Sequence, residues 1–156
     1  MRFRRDDTTR VVAAMEELAA RGDGEGWVNI TPVVKDEDLM RIPDRSGLAG
    51  WFSARGPAVP VATWMPPVTD GRPRPAQVGL AHGTGPNALP RLADEGLALP
   101  AAWTKRQDHA KHGVVADLPE GVDLGEVVDW LLAAASQLSP VAPAGDRWDA
   151  VVHLPA

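Results

Sequence analysis

The chain contains no cysteine and no tyrosine in its 156 residues. Without cysteine there is no disulfide, no thiolate metal site and no cysteine nucleophile. No run of 18 apolar residues occurs, so the sequence offers no membrane-spanning helix. The opening residues, Met1-Arg2-Phe3-Arg4-Arg5-Asp6-Asp7, have no apolar stretch behind them and do not form a secretory signal. These absences predict a cytoplasmic protein with no membrane partner. Positive charge is also not in excess. The formal net charge is -5, which gives the chain no overall attraction to nucleic acid or anionic lipid.

Hydrophobic residues make up 44% of the chain, enough for a buried core. The length suits one α+β domain over residues 1–156, with its best internal boundary at the turn-rich connector 69–75. Aromatic usage is skewed to six Trp and two Phe. Indole rings stiffen a small core or line a pocket for a flat or apolar ligand, and their N–H groups need partners when buried. Fifteen Gly and fifteen Pro are spread along the chain and mark many turns.

Periodicity supplies the elements. Val11, Met15 and Leu18 recur at helical spacing, with Thr8 or Thr9 as a cap and Gly22 as a stop. Residues 26–34 alternate like a strand, with Val28 and Ile30 on one side and Trp27, Asn29 and Thr31 on the other. A second early strand covers Val59, Val61 and Thr63. The pattern fails over 35–50, which reads as a charged loop, and 51–53 is a brief apolar piece. Beyond residue 76 the order is clearer. A strand at 77–82 precedes a short helix with Pro86 in its first turn and Gly96 at its end. Strands at 101–107 and 113–118 flank the link 108–112. Asp123 caps a helix carrying Val127, Val128, Leu131 and Leu138, and a last strand covers 148–154. This β-α-β-β-α-β order predicts a ferredoxin-like core in residues 76–154. The N-terminal helix and two early strands would extend or cover it.

The sharpest local signal is His82-Gly83-Thr84-Gly85-Pro86-Asn87. A strand ends in a histidine, two glycines permit a tight turn, and a helix follows. Free N–H groups there, with the Thr84 hydroxyl, suit an anionic group. Gly83, Thr84, Gly85 and Asn87 are therefore candidate binding residues, with Lys105, Arg106 and Trp103 as helpers from the next strand. His109 and His112 lie three apart, close enough to meet one metal ion, but His-x-x-His without a third ligand makes no metal assignment. His82, His109 and His112 are the candidate proton-transfer residues. His153 is expected to lie exposed or to meet the early segment. The acidic run Asp117, Glu120, Asp123, Glu126 and Asp129 contains no basic residue and reads as a solvated face.

The strand at 113–118 has no aromatic residue, so nucleic-acid binding is not expected despite the basic residues at 2–5, 72–74 and 105–111. With no nucleophile context and no paired carboxylates, the first expectation is a non-enzymatic binding or interaction domain. It would hold a small anionic or amphipathic ligand at the 82–87 loop. The alternative is a small enzyme with His82 as general acid or base and the backbone N–H groups of 83–85 stabilising negative charge. A homodimer, built through sheet edges or Trp-bearing faces, is compatible with either. Cofactor identity does not follow from these residues.

Overall fold

The computed structural model describes residues 1–42 and 56–155. In chain order the elements are β1 (Arg2–Arg4), α1 (Thr9–Arg21), β2 (Trp27–Pro32), α2 (Asp36–Leu39), β3 (Val61–Met65) and β4 (Gln77–Ala81). Then follow α3 (Ala88–Asp94), β5 (Thr104–His109), β6 (Gly113–Asp117), α4 (Leu124–Leu138), a 3-10 turn (Ala144–Asp146) and β7 (Arg147–His153). The apolar piece at 51–53 and the second half of the 35–50 loop lie outside the described residues. Only α2 and its flanks are seen there.

The seven strands form one antiparallel sheet in the order β1-β7-β2-β3-β4-β6-β5. The fold is α+β, as expected. The ferredoxin-like arrangement of 76–154 is not what the pairing gives. β4, β6 and β5 sit side by side as that unit requires, but β7 does not return to β4. Instead β2 and β3 stand between them, and β7 inserts between β1 and β2. The early strands therefore lie inside the sheet rather than extending or covering a finished one. The physical reason is non-local. β7 finds six paired residues along β2, from Trp27↔His153 to Pro32↔Trp148.

Alternation then sets the layers. Val28 and Ile30 on β2, Ala62 and Trp64 on β3, Val78 and Leu80 on β4, and Trp148 and Ala150 on β7 are buried. They share one core with Val11, Met15 and Leu18 of α1 and with Val127, Val128, Leu131 and Leu138 of α4. The described long helices thus cover a single face. α1 ends where expected, with Gly22 in the left-handed region at φ 70° and its N–H on the Ala19 carbonyl. α4 is capped by Asp123, whose carboxylate accepts from the N–H groups of Gly125 and Glu126. α3 starts two residues later than Pro86 suggested, because Asn87 adopts a left-handed conformation at φ 57° and ends the turn.

β1 escaped the sequence reading. Three residues, Arg-Phe-Arg, are too few for periodicity to show. Phe3 enters the core while Arg2 pairs with Asp149 of β7 through two 2.9 Å bonds. The connector 69–75 is a turn, closed by reciprocal backbone bonds between Val68 and Arg74. No helix among the described residues is long and apolar enough to cross a membrane.

Candidate functional site

The turn after β4 is held by its own side chains. His82 is fully buried. Thr84 places both its backbone N–H (3.4 Å) and its hydroxyl (3.0 Å) against His82 Nδ1. A backbone N–H can only donate, so Nδ1 is the acceptor and the ring proton sits on Nε2. That Nε2 is buried and has no hydrogen-bond partner among the described residues. Burial lowers the pKa of His82 below its ordinary value, and the positive charge of Arg91 adds to this. Asp108 partly opposes them. His82 is therefore a neutral imidazole near pH 7.

Arg91 of α3 completes the corner. Its guanidinium donates to the Thr84 hydroxyl at 2.8 Å and to the Asn87 carbonyl at 3.2 Å. Thr84 thus accepts from a cation and donates to a neutral ring. Arg91 was not visible from sequence. It lies seven residues from Thr84, and only the fixed turn brings them together. Asp108 was likewise read as part of a link. It is near the end of β5, and its carboxylate accepts from the N–H groups of Ala88 (3.0 Å) and Leu89 (2.9 Å). The first N–H groups of α3 are thereby satisfied by the chain itself.

A cavity of about 570 Å³ opens beside this turn. Gly83 and Thr84 form one part of its wall. Ile42, Ala58, Pro140 and Val141 give it apolar surface, and Asp38 and Arg41 bring charge. Asp38 and Arg41 are ion-paired at 3.1 Å. Its volume falls within the range of small-molecule sites, which are mostly apolar with a few polar groups. The wall combines segments 38–42, 58, 83–84 and 140–142, so no local motif could have announced it. Gly85 and Asn87 belong to the turn but not to the wall.

The other expected residues lie elsewhere. Trp103 is buried edge-on against Trp130, with ring centroids 5.3 Å apart. Lys105 is exposed. Arg106 is committed to Asp117 of β6, with its Nε 2.5 Å from the carboxylate, while Gln77 donates to the same group at 2.7 Å. The Arg106 hydrogen bond, helped by Gln77, holds the Asp117 carboxyl below its ordinary pKa. Asp117 is therefore not part of a solvated acidic face. It is buried, and its cation comes from the neighbouring strand.

His109 and His112 stack on each other with centroids 4.9 Å apart, in the exposed β5–β6 turn. His109 Nδ1 accepts from the backbone N–H groups of Lys111 (3.1 Å) and His112 (3.3 Å), so it fastens the turn. His153 lies at the far end of the sheet, paired with Trp27, and does meet the early segment. Among the described residues, no three His, Asp or Glu side chains are grouped to hold a metal ion. Basic residues are also divided. Arg2 and Arg4 are on edge strand β1, Lys105 and Arg106 on the opposite edge β5, about 29 Å away at ordinary strand spacing.

No protein-family model, no curated protein and no solved structure matches the chain.

Proposed function

We propose that the chain is a binding domain that takes a small amphipathic ligand in the cavity beside the 83–84 turn. The single observation behind this reading is the cavity itself, whose lining joins apolar residues to Asp38, Arg41 and Thr84. An anionic group would lie near Thr84 and Arg41, and the apolar part against Ile42, Pro140 and Val141. Arg41 would exchange its exposed pairing with Asp38 for the ligand, a small loss because exposed ion pairs contribute little. The anion would not use the start of α3, whose first N–H groups face Asp108.

Native mass spectrometry of the purified chain, repeated under denaturing conditions, tests this. A small molecule retained in the first and lost in the second is the expected result. Ala142→Trp, on the exposed rim, should abolish retention, and Thr84→Val should weaken it. Retention unchanged in both variants would place the ligand elsewhere.

A second reading, a small enzyme using His82 as acid or base, has one observation in its favour. The Thr84 hydroxyl is 3.0 Å from His82 Nδ1, the reach of a hydroxyl–base pair. The lowered basicity of His82 weighs against it, as does the placement of His109 within its own turn. Recovering the retained molecule chemically unchanged after long incubation would decide for binding. Turnover lost in Thr84→Val would decide for the enzyme.

A further inference from the structure

The charges on the cavity wall have opposite signs and stand together. Among its described residues Asp38 and Arg41 are the charged ones. Asp38 Oδ1 accepts from Arg41 Nη1 at 3.1 Å. The two are not equally placed. The Asp38 side chain is 26% exposed and that of Arg41 75%. The carboxylate is therefore the sheltered partner, and the cation reaches it from the more open side. A ligand cation that took the place of Arg41 would gain a site where solvent screens it less. The freed guanidinium would then stand beside it, ready for an anion.

Thr84 adds a constraint of its own. His82 Nδ1 accepts from the Thr84 backbone N–H, so it also accepts the proton of the Thr84 hydroxyl. Arg91 Nη2 donates to the same hydroxyl oxygen at 2.8 Å. The proton and one lone pair are thus in use. The lone pair that remains can only accept. For the Thr84 hydroxyl, the complementary ligand group is a donor and not a carboxylate oxygen.

Donor groups differ in what they bring. A hydroxyl has one proton and an ammonium three. Of the two, only the ammonium can serve the Asp38 carboxylate and the Thr84 oxygen together, and only it carries the charge that replaces Arg41. The ligand anion belongs at Arg41. Because Asp38 and Arg41 are adjacent, the two charges of the ligand must lie only a few bonds apart. Ile42, Ala58, Pro140 and Val141 are left to receive an apolar side chain.

We propose that the cavity takes a zwitterion, an α-amino acid with an apolar side chain. Its ammonium meets Asp38 and the Thr84 oxygen, and its carboxylate meets Arg41. This rests on the reading of the cavity as a small-molecule site and names the class of molecule. The anion then lies at Arg41, with the amine between it and Thr84.

Isothermal titration calorimetry of the whole chain with leucine and two analogues tests the proposal. 4-Methylpentanoate is leucine without its amine, and 3-methylbutylamine is leucine without its carboxylate. Leucine should bind at least about tenfold more tightly than either, the loss that follows removal of a hydrogen bond to a charged group. Asp38→Asn, at a side chain outside the core, should erase the preference for leucine over 4-methylpentanoate with an unchanged circular dichroism spectrum. Arg41→Gln should erase the preference over 3-methylbutylamine. 4-Methylpentanoate binding as tightly as leucine would overturn the zwitterion and leave the broader reading, an amphipathic anion, in place. Leucine giving no heat up to about 10 mM would also overturn it, and retention in native mass spectrometry then judges the broader reading separately. A preference for leucine that survives in both variants would place the amino acid away from this pair and overturn the proposal too.

Discussion

The two faces of the sheet follow different rules although they alternate along the same strands. On the helix-covered face Val28, Ile30, Ala62, Trp64 and Ala150 are fully buried, and packing sets every residue. On the other face their immediate neighbours, Trp27, Asn29, Thr31, Val61, Thr63, Met65 and Val151, are half-buried or exposed, and hydrogen bonds or ring stacking set the order. One face closes the fold by excluding water from hydrocarbon. The other is ordered by bonds that run within the sheet, from Thr63 to Asn29 and from Asn29 to His153.

Neighbouring residues provide the largest test. Trp64→Ala should cost about 3–5 kcal/mol, the range for removing a large buried aromatic. Met65→Lys, one residue on, should change stability by less than about 0.5 kcal/mol, as surface substitutions do. Urea unfolding of the two variants measures both. A smaller gap would mean that the faces are not distinct. Trp64→Phe sharpens the point. The Trp64 indole N–H is buried without a hydrogen-bond partner among the described residues. Removing it recovers about 1–3 kcal/mol of desolvation. Trp64→Phe should therefore be far milder than Trp64→Ala.

Acid separates the two regions next. His82 has its pKa lowered from 6.5 by burial beside the core, so the unfolded chain takes up its proton first. Its contribution to stability is complete above pH 6.5 and declines as pH falls below that toward the folded-state value. Asp117, on the open side, has its pKa lowered from 3.8 by Arg106. Its contribution is complete above pH 3.8 and is lost only under stronger acid. Midpoints of urea unfolding between pH 7.5 and 3 should show the first decline vanish in His82→Phe and persist in Arg106→Met. The reverse pattern would misassign both groups.

The smallest effect has the opposite sign. Gly79→Ala should stabilise the isolated chain by about 0.5–1 kcal/mol, because the backbone is extended and the space is open. Leu80→Ala, on the covered face, should cost about 2–5 kcal/mol. Urea unfolding of the two variants reads both effects. A destabilising Gly79→Ala would show that the glycine is required by the fold itself.

Much of the secondary structure could be read from sequence because its signals are local. The periodicity of Val11, Met15 and Leu18, the cap at Asp123 and the stop at Gly22 all act within one or two turns. The sheet order could not be read, because alternation says which face a residue takes but not which strand lies beside it. The second half carries the element order of a familiar unit, and only the match of β7 to β2 redirects it. Of the turn at 82–87, Gly83 and Thr84 reach a cavity wall. What that turn offers was less visible. Asp108 caps α3 from twenty residues away, Arg91 holds Thr84 from the next helix, and Arg106 is held by Asp117. Each is a pairing made by topology rather than by spacing.

The place of β7 also has a meaning in time. The amine of Met1 bonds to the carbonyl of Ala150, and among the described strands β1 pairs with β7 alone. As the chain leaves the ribosome, α1 can coil early, but β1 and one edge of β2 must wait for residues 147–153. Contacts between such distant segments slow folding. Until they form, β2 presents an unpaired edge bearing Trp27 and Ile30.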